Sequence, residues 1–481
     1  MTFFKILKQT KQAFRYESEE SLSYLYGFQH NHVMFHGKAD KPKYSGFFLR
    51  SLAFFASIAF NFRFKRIQLV RKPLLIFAGT DNQFNSLKPT IAALDNQQVD
   101  YELLLGKGVS QKNILSYPHG HLVLFGFKEV ILAVMFYFFR GIPLYFKLKK
   151  QHRQIEIDWH FNNFCQAYVF VPYFLNVLRR VQPGLVVISN DHNVNNRSLR
   201  LAAEVLGVQT LYMQHASVSD IFPPLEFDYA LLDGQTAHQT YLQCYAIQKG
   251  VNPRIENNVT KCQVILSGQK KPVVPAAILD ATKKDCLGLA VNQIDDFHCV
   301  EALLDELATM QVQCIVRTHP FQNPIFIGQL KSYMKDKDWL TWSNSREEGL
   351  ADYFSKVNAV IAGNTSIHLE AALAGLATIY YEMSDEVHRP DYYGYVKNGI
   401  SLKLEQGLTF DELETAIESA HSSVRNQAIK NYSETYGTAW QNREGELSAW
   451  VIQKILKNES LDAFFVSEES DVYKTVLKLE E

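Results

Sequence analysis

The sequence predicts an α/β protein built from two doubly wound, Rossmann-like domains facing a cleft. Short apolar runs recur along the chain, each closed by a polar or glycine-containing loop and followed by a helical stretch, the repeating unit of a parallel sheet covered on both faces. At 481 residues the chain exceeds the size at which one hydrophobic core stops growing, so two domains are the default. The basic pair and two prolines of Lys270-Lys271-Pro272-Val273-Val274-Pro275 read as the linker between them.

Residues 1–70 show no clear alternation and read as an aromatic, basic extension. The first domain, residues 71–269, opens with the strand Leu74-Leu75-Ile76-Phe77-Ala78, a helical stretch over 86–94 and the strand Tyr101-Glu102-Leu103-Leu104-Leu105. An aromatic insertion at 119–150 follows. The pattern then resumes with a helix over 171–181 and a strand over 184–188 ending at Ser189-Asn190-Asp191-His192. Further strands end at Gln214-His215, at Asp233-Gly234 and at the Ser267-Gly268 turn. The second domain, residues 276–435, starts with Cys286-Leu287-Gly288-Leu289-Ala290 and a helix over 300–310. Its next two clear strands end in Arg317-Thr318-His319-Pro320 and in Gly363-Asn364-Thr365-Ser366. Residues 436–481 read as a C-terminal helical segment, with 438–457 returning across the first domain.

Composition narrows the class. Hydrophobic residues at 47% and charged residues at 21% are globular values, and a net charge of −1 gives no pull toward nucleic acid. Six cysteines without a C-x-x-C pair indicate neither a zinc knuckle nor a disulfide framework, which fits a reducing cytoplasm. The start of the chain lacks a signal-peptide layout, because Phe3 and Phe4 are followed at once by Lys5 and Lys8. The 33 phenylalanines concentrate in residues 46–64 and 125–150. Spanning a bilayer takes about 20 apolar residues, and Lys128, Glu129, Arg140 and Pro143 interrupt the second run. That run is expected either as a core helix or as a helix on a membrane surface, with Lys147, Lys149 and Lys150 near headgroups. Together the two segments point to peripheral contact at the inner face of the plasma membrane.

The loops after two strands of the second domain suggest a pocket for an activated-sugar nucleotide. One offers Arg317 and His319 with a proline that fixes the turn, and the other offers small polar residues opening a helix. Three passages carry a resemblance: Met213-Gln214-His215, Arg-x-His-Pro at 317–320, and Gly363-Asn364-Thr365-Ser366 with Glu370 and Gly375. Over residues 185–400 the chain resembles the bacterial capsule and wall-polymer transferases of GT-B fold, a group that includes CDP-glycerol glycerophosphotransferases, polysialyltransferases and capsular Kdo transferases.

That resemblance implies a metal-independent, inverting glycosyltransferase of the cell envelope. It would move a sugar or polyol from a CMP-, CDP- or UDP-linked donor to a capsule polysaccharide, O-antigen or lipid-linked acceptor, with no cofactor beyond the nucleotide-activated co-substrate. It also implies that His319 approaches the donor phosphates, that Ser366 and neighbouring amides hold them, and that Glu370 accepts from a ribose. Arg317 adds a forked cation, and Asn364, Thr365 and Gly268 complete the donor-side set. For the base the residues offer His215, Asp191 and Asp233. His215 is favoured and Asp191 stands second, although Ala216 replaces the glycine of the related Gln-His-Gly segment.

No Asp-x-Asp pair follows a strand, and Asp295-Asp296 reads as a helix cap. His30, His32 and His36 lack the cysteines of a metal cluster. The tyrosines of 391–396 either stack on a base or sugar or pack the domain. A nucleotide-sugar epimerase of the same fold and a noncatalytic polysaccharide assembly protein are the alternative functions.

Overall fold

The computed structural model describes residues 3–24, 46–64, 68–117, 119–249, 262–270, 286–384, 390–405, 407, 409–419, 422–461, 464–467 and 475–479. His30, His32, His36 and most of the predicted linker lie outside them. The chain forms two compact units, Met1–Lys271 with Thr438–Glu481, and Pro272–Gly437.

Among the described residues the first unit carries a nine-stranded sheet. Its order is Phe464–Ser467, Thr475–Leu479, Gln263–Leu266, Tyr229–Leu232, Gln209–Met213, Leu185–Ile188, Leu74–Thr80, Tyr101–Gly108, His121–Leu122. All neighbours run parallel except the first pair. The central strands are continuous apolar runs because both faces are covered; Leu185, Val186, Val187 and Ile188 are all buried. One face receives Phe161–Val181 and Val194–Leu206, the latter ended by Gly207 at φ +67°.

The N-terminal residues do not stand apart as an extension. Phe3–Tyr16 and Gly46–Phe60 pack on Phe161–Val181, placing Ile6, Phe14, Phe54 and Ile58 in the core. Gly46–Phe60 hides this in sequence because apolar residues surround the helix, while its buried positions Arg50, Phe54 and Ile58 fall four apart. On the other face Glu444–Leu456 packs on Asp81–Asn96, so closely that a Cβ on Gly445 would come within 2.5 Å of the Pro89 backbone. The segment predicted as helical to its end then supplies two strands instead. Phe464–Ser467 and Thr475–Leu479 are rich in β-favouring residues, and the second pairs with Gln263–Leu266.

The second unit holds a six-stranded parallel sheet in the order Leu340–Ser343, Gln313–Thr318, Cys286–Val291, Ala359–Ala362, Ala377–Tyr381, Leu402–Leu404. Numbered along the chain within the unit, that order is 3-2-1-4-5-6. The direction of winding reverses between Cys286–Val291 and Ala359–Ala362, and in the first unit it reverses between Leu74–Thr80 and Leu185–Ile188. The predicted α/β, doubly wound class is the observed one.

Candidate functional site

In an open α/β sheet the carboxyl ends of the two strands flanking a reversal form a natural crevice, because the helices leave the sheet in opposite directions there. In the second unit that crevice gathers three loops. Asn292, at the end of Cys286–Val291, donates its side-chain amide to the Asn364 carbonyl at 2.7 Å. Its own carbonyl accepts from Gln322 at 2.9 Å, and the His319 amide donates to Val291 O at 2.9 Å. The predicted loops at 317–320 and 363–366 are thus both tied to the loop that follows Cys286–Val291, the first through His319 and the adjoining Gln322.

His319 is half-buried. Its Nδ1 accepts from the Phe321 amide at 3.2 Å, so the neutral ring carries its proton on Nε2. Burial lowers its pKa and favours that neutral donor form. Asn364, Thr365 and Ser366 are half-buried, and the Ser366 hydroxyl makes no capping bond to Ile367–Leu373. The Gly363 carbonyl accepts from Thr365 N at 2.9 Å and from His368 Nε2 at 2.9 Å. His368 is fully buried, its Nδ1 lies 3.0 Å from Ser401 Oγ, and burial pulls its pKa down to about 4. A neutral imidazole therefore fixes the loop from beneath.

Arg317 sits differently from the expectation of a phosphate clamp. Its guanidinium donates to Ser343 Oγ at 2.9 Å and to Glu348 O at 3.0 Å, and it lies 5.2 Å from the Tyr353 ring centre. Glu370 is half-buried, and its charge is felt by both Arg317 and Tyr393. The tyrosine segment packs the unit: Tyr395 lies in a core with Leu369, Leu373 and Tyr432, while the Tyr392 amide donates to Asn364 Oδ1 at 2.8 Å. Asp296 caps Phe297–Thr309 through the His298 amide at 2.9 Å, as its spacing predicts.

In the first unit the loop after Leu185–Ile188 is built on Asn190, whose Oδ1 accepts from the amides of His192 and Asn193 at 3.1 and 2.8 Å. Asp191 is 1% exposed and both of its oxygens are engaged, Oδ1 by His192 Nδ1 at 2.8 Å and Oδ2 by the Tyr241 hydroxyl at 2.6 Å. Tyr241 in turn lies 3.0 Å from the Tyr212 hydroxyl. Burial would raise the Asp191 pKa, but the bonds from His192 and Tyr241 and the nearby His192 and His215 outweigh it and hold the carboxyl below its usual range. His192 is 16% exposed, its ring lies 4.7 Å from that of Phe222, and its Nε2 is 3.2 Å from the Asn190 amide. A buried carboxylate thus orients an imidazole that reaches the surface.

Of the other predicted residues, His215 is half-buried at the end of the neighbouring strand, close enough for its charge to act on Asp191. Asp233 is buried in an ion pair with Lys270 at 3.0 Å, and Lys270 also donates to the Gly268 carbonyl at 3.0 Å. Gly268 adopts φ +73° in this turn of the first unit, whereas the other donor-side residues all belong to the second. His192, Tyr241 and His368 did not emerge from the sequence as site residues. His192 was visible beside Asp191, but Tyr241 lies 50 positions away in chain order.

Beneath the Asp191 loop lies a buried ion network. Arg197 donates to the Asp191 carbonyl at 3.2 Å and pairs with Glu17 at 2.5 Å and Glu226 at 2.7 Å, while Arg200 also pairs with Glu17. Burial opposes the Arg197 charge, yet the two carboxylates raise its pKa further.

No family model matches the chain, and no curated protein matches its sequence. Among solved structures it is similar to the UDP-GlcNAc 2-epimerase of Methanocaldococcus jannaschii in complex with UDP-GlcNAc and UDP, at 13% identity over 79% of this chain and 99% of that one, TM-score 0.45. It is also similar to Acinetobacter baumannii MurG, at 13% identity over 79% and 99%, TM-score 0.44. A third is Anabaena HepE in complex with UDP-glucose, at 10% identity over 79% and 99%, TM-score 0.42. The chain folds as two α/β units, each with a largely parallel sheet and alternating helices.

Proposed function

We propose that the chain is a glycosyltransferase that moves a sugar or polyol unit from a nucleotide-activated donor to a cell-surface polysaccharide acceptor, without a metal and with inversion. The observation that carries the reading is the reversal of strand order in the second unit, where Asn292 joins the His319 loop to the Gly363, Asn364, Thr365 and Ser366 loop. A crevice of this kind, with an imidazole donor and small polar residues, suits a phosphate ester.

In this reading the crevice of the second unit binds the donor phosphates, and the crevice of the first unit, taken by itself, offers an oriented imidazole. Transfer of a sugar joins the acceptor oxygen to the anomeric carbon, breaks the bond from that carbon to the phosphate oxygen with its electron pair leaving on the nucleotide, and passes the acceptor's proton to a base. His192 Nε2 is the base the first unit offers once the Asn190 amide, 3.2 Å away, releases it. His319 Nε2–H donates to that departing phosphate. Asp191 acts through His192: it fixes the ring with Nδ1 protonated and stabilises the imidazolium, while Tyr241 and Arg197 hold Asp191. His215 stands beside the pair as a second imidazole, and Arg317 acts by bracing the wall of the crevice.

The test is incubation of the purified chain with CMP-, CDP- and UDP-linked donors and an oligosaccharide acceptor, with products resolved by mass spectrometry. Transfer to the acceptor with release of nucleotide is the expected result. A donor isomerised without an acceptor identifies an epimerase, and no turnover of any donor beside intact polymer assembly in cells carrying His319→Ala identifies an assembly protein.

A further inference from the structure

The exposed aromatic residues are concentrated. Among the described residues, seven of the ten exposed phenylalanines fall in residues 46–64 and 127–150: Phe48, Phe60, Phe64, Phe127, Phe138, Phe139 and Phe146. The helices that carry them pack against each other, with Phe54 stacked 4.8 Å from Tyr137 and Phe47 4.8 Å from Tyr145. Their buried sides face the core through Phe54, Ile58, Leu132, Phe136 and Leu148. The opposite sides therefore lie together, presenting Phe48 at 77% exposure and Phe139 at 77%.

Within the two segments charge is almost all of one sign, while Glu19, Glu20 and Asp158 of neighbouring elements pair with Arg140, Lys147 and Arg50 and leave Lys149 and Lys150 as open cations. Residues 46–64 contain no carboxylate, and residues 127–150 contain one, Glu129, which is buried and accepts from Asn176 at 2.7 Å. Lys149 and Lys150 end the second helix in the open. A groove of about 430 Å³ adjoins the start of that helix, with Phe64 and Phe127 on its walls and Arg63, Lys128 and Arg180 among its cations. The helical stretch Phe127–Lys150 is 24 residues long and apolar enough to cross a membrane by length and composition, but 39% of that stretch's most apolar window is buried in the fold. It is also divided by a wider π-turn at Tyr137–Gly141.

We propose that this face docks on a bilayer of anionic phospholipid, with the phenylalanines among the acyl chains and Lys149, Lys150 and the cations of the groove at the phosphate headgroups. A helix pair that keeps one side in a protein core, shows aromatics on the other and carries no exposed acid of its own has the composition of an interfacial surface. The proposal does not depend on the reaction assigned above.

The test is flotation of the full chain with vesicles of phosphatidylcholine alone and of phosphatidylcholine mixed with phosphatidylglycerol. The chain is expected to float with the mixed vesicles and to be released by salt. Lys149→Glu with Lys150→Glu should weaken binding about 25-fold or more, given about fivefold per cation near an anionic surface. Phe48→Glu with Phe139→Glu should abolish it, and both exposed pairs should leave the melting temperature unchanged. The proposal is overturned if the wild-type chain floats with neither vesicle, or if both variants bind as the wild type does. It is also overturned if Phe48→Glu instead breaks a self-associated form that never binds vesicles, which would make the face a contact between copies.

Discussion

In the first unit the loop at the strand reversal presents a carboxylate and an imidazole, Asp191 and His192, held by Tyr241, Arg197 and a buried ion network. In the second the corresponding loops present Asn292, Asn364, Thr365 and Ser366, held by the neutral His368 and the Tyr392 amide. Both sheets wind alike, yet one crevice carries an imidazole paired with a buried carboxylate and the other an imidazole, His319, bonded to a backbone amide among small polar residues. Topology supplies the location, and the residues beneath each loop set the charge and hydrogen bonding it presents. Bonds from His192 and Tyr241, with His215 nearby, keep Asp191 ionised, whereas a neutral imidazole beneath Gly363 fixes a carbonyl without adding charge.

The largest effect should come from removing the imidazole that a buried carboxylate orients, an arrangement found in the first crevice and not at His319. His192→Ala is expected to lower turnover about 10²–10⁴-fold, the range of a general base, with nucleotide binding unchanged. Asp191→Asn should lower turnover and alter its pH profile. Equal loss of nucleotide affinity in His192→Ala would erase the division of labour.

Next come the supports. Glu17→Gln leaves Arg197 and Arg200 short of a buried partner, and urea unfolding should register a loss of about 3–5 kcal/mol. The neutral support in the second unit gives a pH signature instead. His368 is protonated near pH 4 in the folded chain and near 6.5 when unfolded, so the unfolded state binds more protons between those values. Stability should be level above about pH 6.5 and fall by up to about 3 kcal/mol as pH drops to 4, at ~1.4 kcal/mol per unit. A His368→Gln variant should lose that slope in a pH series of urea melts. If the slope survives, His368 is not the group that senses pH.

A smaller effect is expected at Arg317. Because its guanidinium is engaged by Ser343 and Glu348, Arg317→Lys should change nucleotide affinity less than about threefold, where loss of a bidentate phosphate contact would cost more. Calorimetric titration distinguishes the two.

Much of the fold was legible because parallel strands buried on both faces must be apolar runs, as in residues 74–78 and 185–188, and their ends announced the loops. The location of both crevices followed from those ends. Three things were not legible, each for a non-local reason. Gly46–Phe60 is apolar all round, so its packed stripe is invisible until Phe161–Val181 is beside it. The closing strands 464–467 and 475–479 depend on an edge at Gln263–Leu266 that lies some two hundred residues earlier in the chain. The roles of Arg317 and Asp191 depend on partners such as Glu348 and Tyr241, which sequence spacing does not bring together.

The most direct measurement is calorimetric titration of CMP, CDP and UDP into the wild-type chain, His319→Ala and His192→Ala. One nucleotide is expected to bind the wild type and His192→Ala alike and to lose at least about tenfold in affinity, or ~1.4 kcal/mol, with His319→Ala. Absence of binding by all three nucleotides, or unchanged affinity in His319→Ala, would contradict it.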